Sequence, residues 1–292
     1  MSKPLHLVEQ AALHLRQGSS GAPESALLPE AVAQKIAASV RAAPLAEPSP
    51  ATMPSARLLA IETLESAGMI TSRDQRDRIA EEFRIISQHV LVSAAAVEPG
   101  AALGNLVLVT SARPGEGKSF AALNLAASLA LGGGREVILV DADIRVGSLT
   151  ATLGLAAEPG LLDLVPSPAQ LAESTLVRSR IQGLQVMPIG GGSDPSGRAL
   201  ISAHNPIAGL LTGFAPRFAE RLIVVDAPAC LCSSDPSALA QIAGQALLVV
   251  EAEKTRRREI EAALDLIDAC ANIKLLLNKV QVATRDTFGV YS

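Results

Sequence analysis

Tryptophan is absent from this 292-residue chain, tyrosine occurs once, and aromatic residues make up only 2% of it. Hydrophobic residues still reach 49%, so the core must be built from Ala, Leu and Val. Such a core suits α/β layers better than an aromatic-rich β-sandwich. Cysteine is scarce as well. Cys230, Cys232 and Cys270 are the only three, too few and odd in number for a disulfide framework. Cys230 and Cys232 form a CxC pair with no His or further Cys nearby, which reads as two small residues after a strand rather than half of a metal site. Excess positive charge is missing: the net charge is −4 and the pI is near 5.7, which excludes an electrostatic footprint for nucleic acid. Long apolar runs are missing too. None approaches the roughly 18 residues that span a bilayer, and Met1 to Gln17 lacks a signal-peptide core. These absences predict a cytoplasmic protein that reaches a membrane only through a partner.

What is present divides the chain into three parts. Leu5, Val8, Ala12 and Leu15 recur at helical spacing, so residues 4–17 read as a short amphipathic helix. Prolines at 23, 29, 44, 48, 50 and 54 follow, and residues 43–54 read as a flexible linker. A helix is predicted from Ala56 to Ala67, ended by Gly68, and another from about Arg76. From residue 90 the pattern becomes α/β. Apolar runs at 105–110, 136–140, 184–188, 221–225, 246–250 and 273–277 read as strands buried on both faces of a parallel sheet. Helices at 119–131 and 257–270 lie between them. The expected fold is a doubly wound, mainly parallel α/β sheet. The expected organisation is residues 1–54 as helix and linker, 55–282 as the domain with a helical lead-in over 55–90, and 283–292 as a tail. The basic run Lys254 to Arg258 opens a helix and reads as a solvated face.

One segment carries chemistry. Between the strand Leu106–Thr110 and the helix from Ser119 lies Ala112-Arg-Pro-Gly-Glu-Gly-Lys-Ser119, an [A/G]xxxxGK[S/T] pattern. Gly115 and Gly117 let backbone N–H groups turn inward around phosphate oxygens at a helix N-terminus. Lys118 is placed to reach the β- and γ-phosphates, and the Ser119 hydroxyl to ligate Mg²⁺. Pro114, Glu116 and Phe120 complete the ATP-binding stretch. Asp141 and Asp143 end the next strand, and Asp226 ends a later one. In open α/β sheets the ligand sits at the carboxyl ends of the strands, so these acids can converge on the loop. Such carboxylates hold Mg²⁺, directly or through water, and orient or deprotonate a nucleophile. Asp226 and Ser119 are the metal candidates; Asp141 is the candidate base, supported by Asp143.

These residues resemble the bacterial tyrosine kinases of polysaccharide export, within the deviant-Walker P-loop ATPases that include MinD and ParA. The family's three motifs match Ala112–Ser119, the hhhhDxDxR segment Val137–Arg145, and the hhhhDxxP segment Leu222–Pro228. MinD/ParA proteins carry a signature lysine early in the loop. Arg113-Pro-Gly-Glu-Gly-Lys118 has none, which favours the kinase branch. The resemblance further implies that Arg145 contacts the nucleotide, that Asn278 in Leu275-Leu-Leu-Asn-Lys-Val280 meets the base edge, and that Glu81 and Arg84 build an oligomer interface. Ser87 stands at that motif's third basic position. Leu184–Gly192 is similar to the family's Pro-Gly strand and turn. The N-terminal helix and linker resemble the stand-alone autokinases of exosortase-type clusters. The resemblance therefore implies ATP with Mg²⁺, a homo-oligomer, and a membrane partner of the chain-length-determinant (polysaccharide co-polymerase) type.

The family ends in several tyrosines that neighbouring subunits phosphorylate. Here Tyr291 stands alone. The dozen residues from Lys279 span up to roughly 40 Å when extended, enough to present Tyr291 to a neighbour as phospho-acceptor. The leading expectation is phosphoryl transfer to Tyr291 in trans. The alternative is a MinD/ParA-type ATPase switch without kinase activity, and a third is an iron–sulfur carrier of the Mrp type using Cys230 and Cys232.

Overall fold

The computed structural model describes residues 58–69, 77–95, 103–132, 135–164, 173–191 and 207–280. The N-terminal helix, the proline-rich linker and the tail with Tyr291 lie outside the described residues. All described residues fall within one compact unit, Met53–Ser292.

Strands β1 (Leu58–Leu59), β2 (Leu103–Ser111), β3 (Val137–Asp141), β4 (Val177–Ser179), β5 (Leu184–Met187), β6 (Leu222–Asp226), β7 (Ala243–Glu251) and β8 (Ile273–Asn278) form one sheet. Their order is β1-β4-β5-β3-β6-β2-β7-β8. Every pairing is parallel except β4 with β5. The doubly wound, mainly parallel α/β expectation is met.

Alternation along the central strands divides the core into two layers. Leu106 and Leu108 of β2 pack on one face, and Val107 and Val109 on the other. The first face is covered by α5 (Ile207–Phe214), α6 (Asp235–Ala240) and α7 (Arg257–Leu266), through Ile207, Leu211, Phe214, Leu239 and Ala263, with Ile267 just past the end of α7. The second is covered by α3 (Lys118–Leu131), with α1 (Ile61–Ser66) and α2 (Asp77–Ala95) supplying Leu64, Phe83 and Val90. A short helix, α4 (Leu149–Thr152), follows β3. Helix α3 is buried over most of its length. Its run of alanines lets it lie close against the sheet, where larger side chains would hold it off.

Three local expectations need correction. Leu58–Leu59 is a strand instead of the start of a helix, because it pairs with Arg178 and Ser179, and Arg180 N–H bonds the Leu59 carbonyl at 2.9 Å. Ala60 stays extended and α1 begins at Ile61. Tertiary pairing has overridden a helical pattern. Helix α7 stops at Leu266 rather than Cys270. Strand β4 was not expected at all. No helix among the described residues is long and apolar enough to cross a membrane.

Candidate functional site

Three neighbouring strands deliver their C-terminal ends to one place. Asp141 of β3 is in register with Asp226 of β6, and Val109 of β2 with the same Asp226. The chain is tied across these ends beyond the strands, with Ala142 N–H bonded to the Asp226 carbonyl at 2.9 Å and Ala227 N–H to that of Val109 at 3.0 Å. Residues 112–118 leave β2 here and turn into α3. Gly115 and Gly117 take the left-handed φ values of 86° and 95° that the turn requires. Gly117 is the N-cap of α3 and carries no side chain to cap it, so the first N–H groups of the helix are left for an anion.

Lys118 sits at the centre. Its ammonium lies 3.0 Å from Asp143 Oδ2 and 3.2 Å from Asp226 Oδ1, and it donates to Ser119 Oγ at 3.3 Å. Burial works against its charge, but Asp226 and Asp143 outweigh that and raise its pKa above the usual lysine value. Asp226 is fully buried. Burial pushes its carboxyl up to about 6, with Lys118 opposing and Asp141 adding to the rise. Its Oδ2 has no hydrogen-bond partner. Asp143 is held lower. Burial raises it, but Arg145 and Lys118 prevail and bring it to about 2. Arg145 grips Asp143 with two bonds, Nε to Oδ1 at 2.8 Å and Nη2 to Oδ2 at 2.7 Å.

Asp141 is placed differently from its neighbours. It is fully buried; its Oδ1 accepts the Asp143 N–H at 3.0 Å and its Oδ2 the Thr150 N–H at 2.7 Å. Burial raises its pKa, against those bonds. Its oxygens therefore hold the backbone that carries Asp143 and opens α4. Asp143 lines the open pocket, with Pro114, Gly115, Gly117, Lys118, Ser119, Phe120 and Arg145, around about 330 Å³. Asp143 faces the pocket, whereas Asp141 lies behind it with both oxygens bonded to backbone N–H groups.

Two further expected residues stand beside the pocket, not in its wall. Glu116 is buried with its carboxylate bonded to the Arg113 N–H at 2.8 Å and to the Thr255 hydroxyl. Asn278 donates from Nδ2 to the Glu116 carbonyl at 2.9 Å. Val146, Gly147 and Ser148 also line the pocket. Sequence reasoning stopped at Arg145, although their position directly after that motif was a usable signal. Cys230 is buried against the Thr110 hydroxyl at 3.4 Å, while Cys232 is exposed. Glu81 and Arg84 lie exposed on α2, bonded to each other at 2.7 and 2.5 Å. Tyr291 lies outside the described residues.

A magnesium ion fits this donor set. Ser119 supplies a hydroxyl beside the phosphate loop, and the Asp226 Oδ2 is a buried carboxylate oxygen lacking a partner, the kind of hard oxygen ligand Mg²⁺ takes.

No protein-family profile matches the chain. Among curated relatives, EpsB of Ralstonia solanacearum is 37% identical over 169 residues, 55% of this chain and 20% of EpsB. The tyrosine-protein kinase ptk of Acinetobacter johnsonii is 30% identical over 183 residues, 62% of this chain and 24% of its own length. The chain thus spans about a fifth to a quarter of these two proteins. It covers 76% of the tyrosine-protein kinase YwqD of Bacillus subtilis, at 27% identity over 189 residues, 63% of this chain. ExoP of Rhizobium meliloti, a succinoglycan biosynthesis transport protein, is 33% identical over 190 residues, 64% of this chain and 23% of ExoP. The kinase domain of the Escherichia coli tyrosine kinase ETK superposes with a TM-score of 0.58 at 24% identity, over 72% of this chain and 78% of that one. The VpsO kinase domain does so with 0.51 at 27%, over 68% and 98%. The resemblance to bacterial tyrosine kinases is borne out by these relatives, and the fold is that of their kinase domains.

Proposed function

We propose that the chain is an ATP-dependent tyrosine autokinase that transfers the γ-phosphoryl group to Tyr291 of a neighbouring copy. The observation that carries this reading is a buried lysine at a left-handed P-loop, bridging a pocket-facing and a buried aspartate. Lys118 and the loop N–H groups stabilise charge on the β- and γ-phosphates, which is chiefly positioning and electrostatics. Mg²⁺, held by Ser119 and Asp226, would neutralise phosphate charge. Arg145 contributes a second cation at the pocket mouth.

Asp143 is the group that receives the tyrosine proton. In the free protein its two cations make it a poor acceptor. When Lys118 turns to the phosphates, Asp143 loses one of them and its proton affinity rises. The tyrosine oxygen then forms a bond to Pγ, the bond from Pγ to the bridging oxygen of ADP breaks, and the proton passes to Asp143. Asp141 fixes the backbone on which Asp143 rides.

The relatives extend this to a role. ExoP bears the name of a succinoglycan biosynthesis transport protein, which supports a place in exopolysaccharide production; the proposal adds a site at the inner membrane, reached through a chain-length-determinant partner. Glu81 and Arg84 are the proposed contact between copies. The single tyrosine favours one alternative, an ATPase switch that assembles and disassembles without protein labelling.

Incubating the full chain with γ-labelled ATP and magnesium separates them. Stable label on the protein that vanishes in Tyr291→Phe is expected. Released phosphate with no label on either protein would favour the switch. Label unchanged by the substitution would remove Tyr291 from the account.

A further inference from the structure

The end of β8 touches the phosphate loop twice in succession. Lys279 Nζ donates to the Gly115 carbonyl at 2.6 Å, and Asn278 Nδ2 to the Glu116 carbonyl at 2.9 Å. Both side chains are themselves held. Lys279 adopts a left-handed φ of 59°, and its ammonium is gripped by Glu251 Oε2 at 3.1 Å. Asn278 Oδ1 accepts the Lys279 N–H at 2.9 Å. Its Nδ2 is so near the loop that a Cβ on Gly117 would stand 2.1 Å from it.

A trans peptide is planar, with each C=O opposed to the following N–H. Drawing the Gly115 and Glu116 carbonyls toward β8 turns the Glu116 and Gly117 N–H groups away from β8. Those two N–H groups find no acceptor among the described residues. The pocket lies on that other side: Gly115, Gly117 and Lys118 line it, while Asn278 and Lys279 do not. A third loop N–H, that of Arg113, is already taken by the Glu116 carboxylate.

We infer that Asn278 and Lys279 are positioning residues that aim the Glu116 and Gly117 N–H groups at the polyphosphate chain of the nucleotide. This rests on the reading of the loop as an ATP site. It gives Asn278 a phosphate role where the family resemblance implied contact with the base.

The two roles separate on a ligand without a base. Isothermal titration of the full chain with MgATP and with magnesium tripolyphosphate is the test. Asn278→Ala and Lys279→Met should each weaken both ligands by a similar factor, about tenfold, and Lys279→Arg should recover most of the loss. A loss confined to ATP would assign these side chains to the base and overturn the inference, as would unchanged binding of both ligands. Leu276→Ala removes packing from the same strand and should lower the melting temperature while leaving both affinities intact. If it weakens both ligands as much, strand stability is the cause and the inference fails. A wild-type chain that binds no ATP would instead sink the reading of the loop on which the inference stands.

Discussion

Two ion-paired groups in this chain share short distances and differ in setting. Lys118 lies 3.0 and 3.2 Å from its two aspartates with only 10% of its side chain exposed. Arg84 lies 2.5 Å from Glu81, and both side chains are more than half exposed. Distance alone would rank the second pair as the stronger. Burial reverses the order. In the interior each charge depends on its partners, because no water can replace them. At the surface water substitutes readily and the net contribution is small. In the proposed reading the buried group is a set of charges placed for phosphate and metal, and the exposed pair is free to change partners. One ring contact links the regions: Phe83 of α2 meets Phe120 of α3 edge-on at 5.9 Å, and Phe120 lines the pocket.

The largest effect is expected at the centre. Lys118→Met leaves Asp226 buried without its cation and should cost about 3 kcal/mol of stability, measured by denaturant unfolding. It should also weaken or slow everything that depends on the γ-phosphoryl by at least about a hundredfold. An unchanged melting curve would show that the buried charges do not depend on one another.

Asp226→Asn should move stability the other way. The folded-state pKa of Asp226 is raised to about 6, above that of an unfolded aspartate. A raised carboxylate disfavours the fold in full above pH 6, where both states are ionised. The cost shrinks as the pH falls through 6 and disappears below about 3, where both are protonated. The variant should therefore gain about 1–3 kcal/mol at pH 7.5 and nothing near pH 3, while losing magnesium-dependent nucleotide binding. A variant less stable than wild type at pH 7.5 would contradict the sign.

Between the regions, Phe83→Leu should cost about 1 kcal/mol through the lost ring contact, again by denaturant unfolding. The smallest effect belongs to the surface. Glu81→Ala and Arg84→Ala should leave the melting temperature of the isolated chain unchanged and alter only its assembly, read by light scattering with MgATP. A drop in melting temperature like that of Lys118→Met would erase the distinction drawn above.

How far this was legible in the sequence follows from the range of the interactions. The central strands show as nearly continuous apolar runs because both faces are covered, and the P-loop shows because its spacing is local. The two- and three-residue strands β1 and β4 do not show, since only their pairing makes them strands. The placements of Asp141 and Asp143 were not separable either. Which carboxylate faces the pocket depends on the N–H groups of Asp143 and Thr150, which turn Asp141 inward. The bracing of the loop by Thr255 and Lys279 joins residues 139 and 164 positions apart, and no local pattern announces it.

The most direct measurement of the central claim mixes two disabled chains with γ-labelled ATP and magnesium. One is Lys118→Met/Asp226→Asn, whose tail is intact, whose site is dead, and in which Asp143 keeps Arg145 as partner. The other is Tyr291→Phe, whose site is intact and whose acceptor is gone. Each alone should stay unlabelled, and the mixture should place label on the first chain only, at Tyr291. A mixture that releases phosphate and labels neither chain would contradict transfer between copies.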